Sequence, residues 1–181
     1  LTLTPPFEAG TADLDLEGTI NDAALSVNGQ AQPLDTTVSA ALTAQIRDAD
    51  VGAFLPGLGL ESRLAGTVEV TGRALTSASP VLDVGLALAP SRFGDQSISG
   101  GRLQLTVDPA EATFDGLLGL GSGSVRASGR AALDGSEQFA ITQAQVGALD
   151  AAALLGDTTA SEVNGSLELE GQGFTPETMR L

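Results

Sequence analysis

The sequence predicts an all-β protein, and three observations carry the prediction. Apolar and polar residues alternate with a period of two in segment after segment. Turn signals built on Gly, Pro, Asn and Asp recur every ~8 to 15 residues, the spacing of a meandering antiparallel sheet. No segment keeps a long helical period, so the helices of ten or more residues that an α/β fold places between strands are missing. The count comes to ten or eleven strands and at most two short helices.

In chain order, residues 11–18 (TADLDLEG) put Ala12, Leu14 and Leu16 on one side and Asp13, Asp15 and Glu17 on the other. That pattern predicts a strand with one wet face. Residues 24–27 continue the style, and Asn28-Gly29 predicts a tight hairpin turn, with residues 30–35 linking onward through Pro33. Residues 37–47 set Val38, Ala40, Leu42, Ala44 and Ile46 against a mainly polar side, which is among the cleanest alternations in the chain. After a loop at 74–80, residues 81–89 place Leu82, Val84, Leu86 and Leu88 on one face. Residues 91–101 read as a connector. Residues 102–107 carry Leu103, Leu105 and Val107 inward until Pro109 ends the run. A further strand is predicted at 112–115 with Asp115-Gly116 as a turn, then one at 125–133 with Val125, Ala127, Gly129, Ala131 and Leu133 on its apolar side. Asp134-Gly135 turns the chain into a strand from Gln138 to about Thr142.

One unit occurs twice, around residues 50–72 and 150–171. Asp50-Val51-Gly52-Ala53-Phe54-Leu55-Pro56-Gly57 answers Asp150-Ala151-Ala152-Ala153-Leu154-Leu155-Gly156, and the run from Ser62 to Gly72 answers the run from Ser161 to Gly171. Each copy opens on an Asp suited to cap a short apolar helix that a Gly stops. Each then closes on an alternating strand bracketed by glycines, Gly66 to Gly72 and Gly165 to Gly171. Asn164-Gly165 reads as the turn that enters the second of these strands.

Composition narrows the function. Eight Arg and no Lys face 23 Asp and Glu, a formal net charge of -15, and such a field repels nucleic acid. With no His, Cys, Lys or Tyr, the common bases, nucleophiles and metal ligands are gone, so the chain reads as no enzyme, with no metal and no cofactor. Asp13, Asp15 and Glu17, and Glu168 with Glu170, read as charges that keep a strand face wet. The Gly119-Leu120-Gly121-Ser122-Gly123-Ser124 run is followed by strand-like alternation instead of a helix, so it predicts a β connection and not a phosphate loop. Arg126 and Arg130 share a face and are expected to pair with nearby acids. No apolar run nears the roughly 18 residues of a membrane helix, and the absence of an initiating Met predicts that residues 1–181 are one β-rich segment of a larger protein.

The second copy resembles the recurrent element of the AsmA-like proteins, the TamB-like translocation and assembly family in particular. Asp150, Leu154, Leu155, Gly156, Asp157, Ser161, Asn164, Gly165, Leu167, Leu169, Gly171, Gly173, Pro176, Thr178 and Met179 occupy the places of that pattern over about 32 residues. The first copy follows it more loosely, with Ala65 in place of the Asn and Pro56 in the helical run. The resemblance implies an elongated, folded-over, taco-like sheet whose greasy concave side is a groove. It also implies a place in the periplasm, tethered to the inner membrane by a region outside this segment, and a role in cell-envelope biogenesis.

The function it implies is carriage of phospholipid, or another acyl lipid, between the inner and outer membranes. The groove-facing candidates are Leu14, Leu16, Val38, Leu42, Ile46, Val68, Val70, Leu82, Val84, Leu86, Leu103, Leu105, Val107, Val125, Leu133, Leu167 and Leu169. A second expectation is a scaffold that presents its sheet to outer-membrane β-barrel proteins during assembly or secretion. A third is a closed β-sandwich spacer.

Overall fold

The computed structural model describes residues 2–4, 10–20, 23–34, 37–50, 62–75, 77–94, 96–150 and 162–173. All their regular structure is β, in one antiparallel sheet. The strands are β1 (Thr2–Thr4), β2 (Ala12–Ile20), β3 (Ala23–Leu34), β4 (Thr37–Ala49), β5 (Ser62–Arg73) and β6 (Val81–Leu88). They continue with β7 (Ser91–Phe93), β8 (Gln96–Val107), β9 (Glu111–Leu120), β10 (Gly123–Ala132), β11 (Gln138–Leu149) and β12 (Val163–Gln172). Their order across the sheet follows the chain, except that β7 fills the gap beside β6 between β5 and β8. The helical runs expected after Asp50 and Asp150 lie outside the described residues.

Several expected turns are strand interiors. β3 runs straight through Asn28-Gly29, with Asn28 opposite Asp15 on one side and Thr43 on the other. The reason lies in packing: a Cβ on Gly29 would meet the Ala41 carbonyl oxygen at 2.5 Å and the Leu42 Cα at 2.9 Å, so this glycine admits a neighbouring strand instead of turning the chain. Asp115-Gly116 is likewise inside β9, where Leu103 Cδ1 comes within 3.4 Å of the missing Cβ. Asn164-Gly165 is inside β12. The connector expected at 91–101 is two strands, β7 and the start of β8, because Ala89-Pro90 interrupts one strand line without ending it. Pro90 has no N–H to give a ladder. Around it, Ala89 N–H donates to the Ala65 carbonyl and the Ser91 hydroxyl accepts from Ala65 N–H at 3.0 Å, which keeps the edge of β5 satisfied.

The true turns use side-chain caps. Between β8 and β9, Asp108 Oδ1 accepts from the N–H groups of Ala110 and Glu111, both at 2.8 Å, with Pro109 between them. Gly121, at φ 56°, turns β9 into β10. Asp134 Oδ1 accepts from Ser136 N–H at 2.9 Å before β11, and Gly135 has φ 88°.

Four bulges reset the alternation among the described strands. In β8, Ile98 faces Leu120 but Gly100 faces Gly119, so Ser99 is the extra residue. In β11, Ser128 faces Gln143 but Gly129 faces Ile141, so Thr142 is the extra residue. That is why the alternation lapses near Thr142 although the strand continues to Leu149. The other two match each other across the repeat. β4 shifts register between Ile46 and Ala49 with Asp48 at φ 56°, and β11 shifts between Val146 and Leu149 with Ala148 at φ 49°.

Candidate functional site: an aliphatic sheet face

Directly opposed residues of an antiparallel pair share a face, so the registers can be followed across the sheet. One row runs Leu16, Val27, Ala44, Val68, Leu86, Leu103, Gly116, Ala127, Ala144 and Leu167, from β2 to β12. The next runs Leu14, Gly29, Leu42, Val70, Val84, Leu105, Phe114, Gly129, Ile141 and Leu169. Flanking rows hold Leu25, Ile46, Leu88, Leu118, Val125 and Val146 on one side, and Leu82, Val107, Ala112, Ala131 and Phe139 on the other. Every position in these rows is apolar or glycine. At ordinary strand spacing, ten strands give a face about 43 Å across, and four rows extend about 20 Å along it.

The opposite face is polar. Its central row runs Asp15, Asn28, Thr43, Glu69, Gly85, Gln104, Asp115 and Ser128. On it Arg126 pairs with Asp115 at 3.1 Å and Arg130 with Glu111 at 3.8 Å, as the shared face of the two arginines predicts. Arg73 meets Asp83 at 3.5 Å, and Asp83 also accepts from the Thr106 hydroxyl at 2.9 Å. Asp13, Asp15, Glu17, Glu168 and Glu170 are all exposed here. Among the described residues no group of three acidic side chains is placed to hold a metal ion. No described helix is long and apolar enough to cross a membrane.

Burial decides whether anything lies over the apolar face. Among the described residues the buried apolar side chains are Ala23, Ile98 and Ala140, and no side chain is fully buried. A second sheet packed on this face would remove the large aliphatics of its middle strands from water. Leu42, Val68, Leu86, Leu103, Leu105, Phe114 and Leu118 are instead half-buried. Leu133, at 46 %, and Leu167, at 54 %, are open. Leu86, Leu88, Leu103, Phe114, Leu118 and Val125 line a shallow depression of about 240 Å³ in the middle of the sheet, floored by Gly116.

Of the 17 groove candidates, 16 lie in β-strands on this one face, Val38 included by its place two residues from Ala40. Leu133 follows the end of β10 and stands outside the rows. The residues on this face that sequence reasoning missed are Leu25, Val27, Phe114, Leu118, Phe139, Ile141 and Val146, while Leu88 was placed on the face of its strand but not among the groove candidates. Phe114 was hidden by the turn-like Asp-Gly beside it, and Val146 by the bulge at Thr142. Comparison with protein-family models, curated proteins and solved structures finds no match to this chain.

Proposed function

We propose that this chain is a non-catalytic, lipid-bearing segment of an AsmA- or TamB-like protein. Its aliphatic face forms a trough along which phospholipid acyl chains move through the periplasm between inner and outer membrane. The observation that carries the reading is the continuous face of apolar residues and glycine, ten strands wide, left half-exposed beside a mainly polar reverse side. An acyl chain of about 16 carbons laid on such a face gains on the order of 10 kcal/mol, at roughly 0.8 kcal/mol per buried methylene, while its headgroup stays in water. Leu, Val, Ala and Gly repeat from row to row with no convergent polar cluster, so neighbouring positions hold a chain about equally and let it slide. A closed spacer would instead bury its large aliphatics against one another.

The test is a photocrosslinking amino acid placed in turn at Leu86, Leu103 and Val125, and at their polar-face neighbours Ala87, Gln104 and Arg126, in cells or with lipid vesicles. Lipid adducts several-fold stronger at the first set are expected. Equal labelling of both sets would sink the trough.

A further inference from the structure

The arginines of the sheet fall into two groups. Arg73, Arg126 and Arg130 each meet a carboxylate on the polar face, at 3.5, 3.1 and 3.8 Å. Arg47, Arg63, Arg92 and Arg102 form no ion pair among the described residues. Two of these four donate to neutral acceptors, Arg47 to the Gln45 side-chain oxygen at 3.5 Å and Arg92 Nε to the Gly94 carbonyl at 3.2 Å. All four are exposed.

Three of them meet at one corner of the polar face. Arg63 of β5 stands directly opposite Arg92 of β7, a pairing that brings the two Cβ atoms to about 5 Å. Arg63 shares its face with Thr67, which pairs with Gln45 of β4. Arg47, two residues on from Gln45, belongs to that face too, and the register shift between Ile46 and Ala49 sets it diagonal to Arg63. Like charges directly opposed across a ladder are unfavourable. A chain with 23 acidic residues and a net charge of -15 has carboxylates enough for every arginine, yet those described nearby do not serve. Asp50 Oδ1 accepts from Ser62, whose side chain lies on the apolar side with Leu64, and Asp48 forms no ion pair among the described residues. Ala65, Thr67 and Ser97, also on this corner, are neutral. A local rule broken with no compensation inside the fold marks a functional position.

We propose that Arg63 and Arg92, with Arg47 and Ser97 beside them, form a binding site for a phosphate group, carried by a lipid headgroup or by a small soluble phosphate ester. The site lies on the polar face and does not rest on the trough. One guanidinium fork satisfies the two oxygens of a carboxylate, whereas opposed forks suit the three free oxygens and double charge of a phosphate. Ser97, directly opposite Arg92, adds a hydroxyl donor. The acidity of the whole chain limits the ligand's size: beyond about 8–10 Å the patch is screened, so an extended polyanion meets repulsion that a single phosphate group does not.

The probe is inorganic phosphate, titrated into the full chain and followed through the arginine Nε–H signals by NMR. Saturable shifts are expected at Arg63 and Arg92, smaller ones at Arg47, and none at the ion-paired Arg73 and Arg126. Arg63→Gln or Arg92→Gln should weaken binding at least about tenfold, Arg92→Lys several-fold because the fork is lost, and Arg73→Gln not at all. Phosphate should raise the melting temperature of the native chain but not that of the Arg63→Gln/Arg92→Gln double variant. Without phosphate the double variant should melt no lower than the native chain, since the opposed charges are gone. A second arm uses flotation with phosphatidylcholine vesicles, with and without phosphatidic acid. Extra binding that phosphatidic acid brings and inorganic phosphate displaces assigns the site to a headgroup; phosphate binding without that extra assigns it to a soluble ester, and either supports the site. Binding to phosphatidylcholine alone reads the apolar face, so the trough and this site fail separately. The proposal is overturned by absence of saturable phosphate shifts, by shifts spread evenly over the ion-paired arginines, by binding that ignores Arg63→Gln and Arg92→Gln, or by a double variant that melts well below the native chain, which would give these arginines to the fold instead.

Discussion

Asp134 shows how much a single side chain does in a thin sheet. Hydrogen bonds from the Ser136 hydroxyl and then from the Ser136 N–H hold its carboxyl below the usual carboxylate range. A carboxylate lowered in the folded state contributes stability that is fully present above its unfolded-state pKa and fades as pH falls through the folded one. The β10–β11 turn should therefore hold at neutral pH and weaken only in strong acid. A carboxylate titration by NMR should place the Asp134 midpoint below that of an unstructured aspartate, and Ser136→Ala should move it back up. A midpoint unmoved by that substitution would remove Ser136 as the cause. Glycine was harder to interpret from sequence. Gly135 turns the chain as its Asp-Gly context predicts, whereas Gly29 and Gly116, in equally turn-like contexts, admit a neighbour's side chain or backbone.

At the scale of elements, the bulges and the residues that close them matter most. Asp50 follows the bulge at the end of β4, and its Oδ1 accepts from Ser62 N–H at 3.0 Å and from the Ser62 hydroxyl at 3.2 Å. Ser62, the first residue of β5, is buried, and its hydroxyl also lies 3.4 Å from the Ala49 carbonyl. The aspartate thus ties the end of one strand to the start of the next, whatever else it caps. Asp50→Ala should cost about 1–3 kcal/mol in urea denaturation, the range for hydrogen bonds to a charged acceptor beside a buried donor, and Asp50→Asn should recover part of that. A loss under about 0.5 kcal/mol would show that the clip is dispensable. Strands were legible where the period of two is unbroken, as in β4 up to Ile46 and in β6. They were illegible where Thr142 inserts an extra residue, because a bulge moves every later side chain out of phase with the pattern.

At the scale of the whole sheet, the decisive property among the described residues is one layer of strands with one greasy side. Truncating a leucine in a closed core costs about 2–5 kcal/mol, because a cavity is left where neighbours packed from all sides. On an uncovered face the neighbours lie only to the sides, so less packing is lost. Leu103→Ala, in the middle of the sheet, should cost about 1 kcal/mol, near the transfer term for the methylenes that its half-burial hides. A measured loss of 3 kcal/mol or more would mean that something covers the face. The proposed function adds a second readout: acyl lipid, if it is the ligand of this face, raises the melting temperature of the native chain more than that of Leu103→Ala, since a ligand stabilises the form it binds.

The sequence by itself determined the class of fold, the meander and the identity of most aliphatic positions, because a period of two is a local property that each strand carries alone. It also determined that one unit recurs around residues 50–72 and 150–171. Only the tertiary structure decided that Asn28-Gly29 and Asp115-Gly116 are strand interiors, that β11 outlasts its broken pattern, and that separate stripes join into rows ten strands long. Those outcomes depend on which backbone lies beside which, and cross-strand register is set by neighbours far away in the chain.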